Sequence, residues 1–336
     1  MFHSGTQRKH WTFQNAEELE KLRTAANDNY KAKIMKNVKT SVDESQLLSR
    51  RDEQLLIQHY QRRLQEFCNS FKPSMPRSVQ GIACIYFKRF YLNNSVMDHN
   101  PRNMLLTCAY LACKVDEFNV SATQFVGNLK EDESGRERAL ELVLASELLL
   151  IQELSFHLTV HTPYRPLEGL LIHLKTCCPS VEHPESLRKG TEEFLQRALS
   201  TDVGLLASPS QIALAALCSV ASQAGVSLDS YITEILVQRD KDRSSQLMET
   251  IQKLEVLVKA AEPPSVDDVN RAKQAFEGCT AYLRSLGFLL GRRKQNPEVE
   301  EGPTTSKMAK IQVLPSTLPA LCPVNLIGLQ ILSEIK

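Results

Sequence analysis

The sequence predicts an all-α protein: two tandem five-helix blocks with an extra helix at each end. Three observations carry that expectation. Apolar residues recur at spacings of three and four along most of the chain, and no stretch alternates apolar with polar as a half-buried strand does. Helix starts are marked, twice by a cap residue followed by proline, at Asn100-Pro101 and Ser208-Pro209. The landmarks recur in order, Pro76-Arg-Ser-Val pairing with Pro184-Glu-Ser-Leu and Asn100-Pro101 with Ser208-Pro209, as in a duplicated unit.

Residues up to about 10 are expected to be mobile. Asn15 with Glu18 resembles a capping box, with Trp11 or Phe13 as its staple, and a helix follows to about Lys33 on Leu19, Leu22, Ala26 and Tyr30. Residues 34–50 are polar and read as a linker. The first helix of the first block carries Leu56, Tyr60, Leu64, Phe67 and Phe71 until Pro73 and Pro76 break it. The second begins near Pro76 and turns Val79, Ile82, Ala83, Tyr86 and Phe90 inward.

The third, from Asn100, is the centre of the pattern. Asn100 caps it, Pro101 needs no N–H, and Met104 to Val115 are apolar or small on nearly every face. Such a helix must be surrounded by others. Its end, at Lys114, Asp116 and Glu117, is charged and must reach a surface. The fourth helix covers about Ser121 to Leu129 and the leucine-rich fifth about Ser134 to Leu154.

The second block places helices at Pro163–Lys175, Pro184–Thr201, Ser208–Ala224, Ser227–Val237 and Ser244–Ala261. Pro263-Pro264 ends it, and Ser265 caps a last helix striped by Val269, Ala272, Phe276, Cys279, Leu283 and Leu286. The expected divisions are 1–50 for the N-terminal helix and linker, 51–160 and 161–262 for the blocks, 263–294 for the last helix and 295–336 for a disordered tail. Dropping two residues from the second copy faces Ala109, Leu111, Val120 and Ser121 with Ala215, Leu217, Val226 and Ser227. Lys114 then falls on Val220, or on Ser222 in the other register; neither is charged, so the charged rim belongs to something only the first block does.

Composition excludes several classes. The formal net charge of +1 over 336 residues is not that of a nucleic-acid-binding polycation. Nine cysteines without a C-x-x-C pattern fit a reduced intracellular protein that uses Cys as a small hydrophobe. The basic N-terminus lacks the apolar core of a signal peptide, and the prolines at 315, 319 and 323 break the apolar stretch Ile311–Leu332 as a membrane span. His157 and His161 are four apart, but nothing between them supplies a further ligand, so no metal is expected. No G-x-x-x-x-G-K, G-x-G-x-x-G or G-x-S-x-G occurs, so no cofactor and no catalytic residues are expected.

The run Met-Pro-Arg-Ser-Val…Tyr-Phe-Lys-Arg-Phe-Tyr-Leu-Asn-Asn-Ser-Val-Met…Leu-Ala-Cys-Lys-Val-Asp-Glu-Phe-Asn, from Met75 to Asn119, resembles a cyclin box. With His10-Trp11-Thr12-Phe13 and Pro163-Tyr164-Arg165-Pro166, the likeness extends over about Trp11 to Lys294 and is strongest to the branch of the cyclin family that serves the cyclin-dependent-kinase-activating kinase. The resemblance implies two tandem five-helix cyclin folds flanked by terminal helices. It implies a non-catalytic regulatory subunit of cyclin-dependent kinase 7, joined by the assembly factor ménage à trois, belonging to transcription factor IIH, and acting in the nucleus without direct nucleic-acid or membrane contact. Carried over by position, Lys114 and Glu147 would hydrogen-bond the kinase backbone, and Leu111, Val115, Ile151 and Leu158 would form the apolar pocket for its C helix. The spacings agree: Leu111 and Val115 are one turn apart, as are Glu147 and Ile151. A lysine in a last helical turn is also favoured by the helix dipole alone, by about 0.3–1 kcal/mol.

The chain departs from the family in two places. Where many cell-cycle cyclins carry Met-Arg-Ala-Ile-Leu for substrate docking, this chain has Glu53-Gln-Leu-Leu-Ile57, and Lys88 stands where those cyclins tend to have aspartate. The tail after Lys294 lacks the lysine-rich and acidic segments usual in that branch; Arg292-Arg293-Lys294 is a candidate nuclear signal. The alternative is a factor IIB-like tandem cyclin fold that binds DNA, for which Lys88-Arg89 and Arg62-Arg63 are the candidate phosphate contacts in the first block.

Overall fold

Polar side chains set the helix starts. In a computed structural model describing residues 2–38, 41–178, 181, 183–238 and 240–288, Asn15, Ser49, Asn100, Ser121, Asp132, Ser208, Asp240 and Ser265 each accept a first-turn amide. Ser121 with Gln124 and Ser208 with Gln211 close full capping boxes. The helices are α1 Thr6–His10, α2 Ala16–Asn37, α3 Arg50–Ser70, α4 Arg77–Asn93, α5 Pro101–Val115, α6 Ala122–Gly127 and α7 Glu133–Glu153. The second block holds α8 Tyr164–Cys177, α9 Arg188–Ala198, α10 Val203–Leu206, α11 Pro209–Gln223, a π-helical turn Tyr231–Leu236 and α12 Lys241–Lys259. The last helix is α13, Val266–Ser285, and no strand occurs among the described residues.

Each block has its own core. Helix α5 is buried from Met104 to Cys113 and lies between α4 and α7, with α3 also against it, because an apolar surface on every side has to be covered on every side. In the second block α11 takes the same place among α8, α9 and α12. Helix α13 returns to the first block, where Ala272, Cys279 and Leu283 join the core and α13 packs on α3.

Several sequence expectations are corrected. Residues 2–10 are ordered: Phe2 and Gln7 are buried, and Thr6–His10 is helical. Helix α2 runs to Asn37, into the expected linker, because Ile34 is buried in the first core. The helix expected over Pro184–Thr201 divides into a 3₁₀ turn, Pro184–Leu187, and α9, and the short α10 follows beyond it. The copies keep one register through their central helices. Asn100 and Ser208 both cap, Pro101 and Pro209 both follow, and both helices span 15 residues. Both close with an amide reaching five residues back, Phe118 to the Cys113 carbonyl and Val226 to the Ala221 carbonyl. The two-residue deletion therefore falls in the following loop, and Lys114 pairs with the exposed Ser222. The expected disordered tail and the Arg292-Arg293-Lys294 run lie outside the described residues.

The N-terminal segment joins the blocks. Trp11 and Leu19 cluster with Leu92 of the first block and Leu205 of the second, and the Phe13 amide donates to the Leu205 carbonyl at 2.8 Å. Arg23 of α2 holds Asp202 by two bonds of 2.8 and 2.7 Å. This pair keeps the Asp202 carboxyl below its usual pKa although burial pushes the other way, with Lys88 and Arg50 adding positive charge nearby.

Candidate functional site

Helix α5 ends where its all-round apolar surface does. Lys114 is in the last turn, where a cation complements the exposed carbonyls. Glu117 then takes a left-handed backbone, φ 56°, so that Phe118 can turn back onto Cys113. A non-glycine residue pays roughly 1–2 kcal/mol for that conformation. Glycine occupies the matching position in the second block, Gly225 at φ 73°.

Across from this end stands α7. Lys114 Nζ donates to both Glu147 oxygens, at 2.6 and 2.9 Å, and lies 5.1 Å from the centre of the Tyr110 ring. The two charged residues expected at one site are therefore side by side, the ammonium about half exposed and the carboxylate mostly covered. Val115, Ile151 and Leu158 are half-buried against the first core, each with surface left over. Leu111 differs: it is 3% exposed, so it supports the floor and has almost no face to offer a partner. Its one-turn spacing from Val115 does not give it the same access, because the C-terminal end of α5 emerges from the core only at Lys114.

Three residues not singled out from the sequence enlarge the surface. Leu144 and Leu148 are 49% and 60% exposed, and with Glu147 and Ile151 they form one stripe along α7 at helical spacing. Phe156 is 66% exposed just past the helix. The signal was present: the leucine-rich fifth helix holds more leucine than one face can bury. Ser155 and Phe156 are both left-handed, φ 52° and 60°, and the Phe156 amide donates to the Ile151 carbonyl at 3.0 Å. Two adjacent left-handed non-glycine residues next to an exposed aromatic ring place backbone strain at the edge of this surface.

The other candidate sites are occupied by structural contacts. Glu53, at the start of the stretch that departs from the docking patch, is 2% exposed; its carboxylate accepts from the Ser95 hydroxyl and from the Val96 amide at 3.0 Å. Burial raises its pKa. Lys88 and Arg89 are 2% and 1% exposed, donating to the carbonyls of Thr201 and His157, so neither can reach a phosphate backbone. Arg63 is paired with Glu66 at 2.8 Å. His157 Nδ1 accepts from the Trp11 indole at 3.1 Å, and no cluster of three or more His, Cys, Asp or Glu suited to a metal occurs among the described residues. Nor, among them, is any helix long and apolar enough to cross a membrane.

Residues 31–159 match the family model for the cyclin N-terminal domain, and residues 162–259 the model for the cyclin C-terminal domain. The chain belongs to the cyclin family. This cyclin is 50% identical over 299 residues to cyclin-H of Xenopus laevis, covering 89% of this chain and 92% of that one. It is 32% identical over 244 residues to cyclin-H1-1 of Arabidopsis thaliana, covering 71% and 70% respectively. These likenesses place the cyclin in the cyclin H branch. Its fold is similar to a chain of the CAK complex of Chaetomium thermophilum bound to ATP-γ-S, with TM-score 0.73 and 21% identity over 90% of this chain and 98% of that one. It is also similar to a chain of the yeast TFIIK (Kin28/Ccl1/Tfb3) complex, with TM-score 0.55 and 20% identity over 77% and 100%.

Proposed function

We propose that this cyclin binds and activates cyclin-dependent kinase 7 as its non-catalytic regulatory subunit, through the surface where α5 and α7 meet. The observation that carries the reading is the Lys114–Glu147 pair, 2.6 Å apart, beside the exposed Leu144, Leu148 and Phe156 and the half-buried Val115, Ile151 and Leu158. An apolar strip edged by one donor and one acceptor suits an amphipathic helix: the strip covers its apolar face, and the charged pair fixes its register by bonding its backbone. Held there, the kinase's C helix would keep its Glu in reach of the active-site Lys, and the activation loop would order. The cyclin would contribute position, and the transferred phosphate would never touch it.

The same reading assigns the wider assembly. With the assembly factor ménage à trois the pair would form the cyclin-dependent-kinase-activating kinase, work within transcription factor IIH in cell-cycle control and transcription by RNA polymerase II, and reside in the nucleus. The likeness to chains of CAK and TFIIK complexes supports that assignment at the level of fold. The factor IIB-like alternative loses Lys88 and Arg89, which are interior, and keeps only Arg62 and Arg63, the latter paired with Glu66. The test adds the purified cyclin to purified kinase, with and without the assembly factor, and follows phosphorylation of an activation-loop substrate. Activity should rise with the wild-type chain and fail to rise with Lys114→Glu; no rise with the wild type would refute the proposal.

A further inference from the structure

Phe156 cannot hold its place by its own packing, since most of its ring is exposed and its backbone is left-handed. What fixes it must act on the chain on either side. Upstream is the end of α7. Downstream, the segment 157–161, outside any helix, runs from the first block to the second and is gripped at three residues. The Arg89 guanidinium donates to the His157 carbonyl at 3.1 Å, and the Tyr86 hydroxyl donates to the Leu158 carbonyl. The third grip comes from outside the block. Gln7 of α1 donates to the His161 carbonyl at 3.3 Å and accepts from the His161 amide at 2.7 Å, pairing with that backbone as a strand would. Gln7 is 3% exposed, so these bonds are shielded from water.

Trp11 completes the clasp. Its indole N–H donates to His157 Nδ1 at 3.1 Å, and its ring lies 4.9 Å from the Arg89 guanidinium that holds the His157 carbonyl. The His10 ring stacks on His157 from the same helix, centroids 4.8 Å apart. The side chain of His157, the residue immediately after Phe156, is therefore held by the N-terminal segment, and its carbonyl by an arginine that Trp11 covers.

We propose that Gln7 and Trp11 are positioning residues for kinase binding, which touch no kinase themselves and hold residues 157–161 so that Phe156 projects beside Leu148 and Ile151. The proposal rests on the assignment of this surface to the kinase. It predicts that losing the clasp weakens kinase binding through Phe156 and not through loss of the fold.

The test is a double-mutant cycle on the full chain, with affinity for purified cyclin-dependent kinase 7 as the readout. Trp11→Phe keeps a ring over Arg89 and removes the indole donor; Gln7→Glu keeps an acceptor for the His161 amide and removes the donor to its carbonyl. Each should weaken binding by about threefold to tenfold, as loss of a hydrogen bond does. In a Phe156→Ala background the same substitutions should cost less than twofold. Equal losses in both backgrounds, or no loss in either, would overturn the proposal, as would normal binding by Phe156→Ala itself. Lys114→Glu in the same assay separates the two levels. If it binds normally, the kinase-surface assignment fails; if it fails to bind while Trp11→Phe and Gln7→Glu match the wild type, only the clasp is wrong.

Discussion

Replacing Phe156 by Ala separates a binding surface from a structural one. In the free chain the ring is 66% exposed, so trimming it removes little buried area and leaves the backbone bond to Ile151 in place. Thermal stability should change by no more than about 0.5 kcal/mol. In the complex the exposed part becomes the loss. A phenylalanine offers about 200 Å², so roughly 130 Å² awaits cover, worth about 3 kcal/mol at ~25 cal/mol per Å². That is about 200-fold in Kd, and still more than about tenfold if only half the ring is covered. Isothermal titration of kinase into the variant, alongside its melting curve, measures both. A variant whose melting temperature falls while its kinase affinity stays within twofold of wild type would refute the reasoning, since the ring would then serve the fold.

Three further outcomes follow from the geometry. Arg23→Ala strips Asp202 of a two-bond partner at the junction of the blocks and should destabilise the chain by about 2–3 kcal/mol by chemical denaturation. Because the Asp202 carboxyl is held below its usual range, the stability it gives is present above its unfolded value and lost as pH falls through its folded one, so the Arg23→Ala deficit should shrink in acid. Glu53 has the opposite sign: its raised pKa makes the folded state favour the neutral acid, so Glu53→Gln should match or exceed wild-type stability at pH 7, the difference closing as pH falls towards the ordinary carboxylate range. Glu117→Gly should raise stability by about 0.5–1 kcal/mol in a thermal melt, since glycine takes the left-handed backbone without strain and Gly225 already does so in the second block.

How much of this the sequence revealed depends on the range of the physics involved. Helix α5 was legible because its signals are local: Asn100-Pro101 fixes the start, the absence of polar residues fixes the burial, and Lys114 marks the exit. Lys114 and Glu147 were named through family resemblance, and their proximity then appears as an ion pair between two helices. Leu111 reads as a pocket residue although it is 3% exposed, because an all-round apolar helix carries no sign of which residue faces out. Phe156 was missed for the reverse reason, its exposure following from two left-handed residues that no local pattern announces. The N-terminal segment reads as mobile from its terminal position alone; its order comes from Gln7 meeting His161, 154 residues away. The repeat was visible in its prolines, but the deletion could be placed only once both central helices ended in the same backbone turn.

The most direct test of the kinase surface exchanges its two charges. Lys114→Glu with Glu147→Lys restores an ion pair within the cyclin and should restore stability, a term worth about 1 kcal/mol or less for a pair this exposed. Kinase affinity should nevertheless remain at least about 100-fold below wild type, because the donor and the acceptor offered to the kinase backbone have changed places. Full recovery of kinase binding by the exchanged pair would mean that Lys114 and Glu147 serve only each other, and would contradict the account.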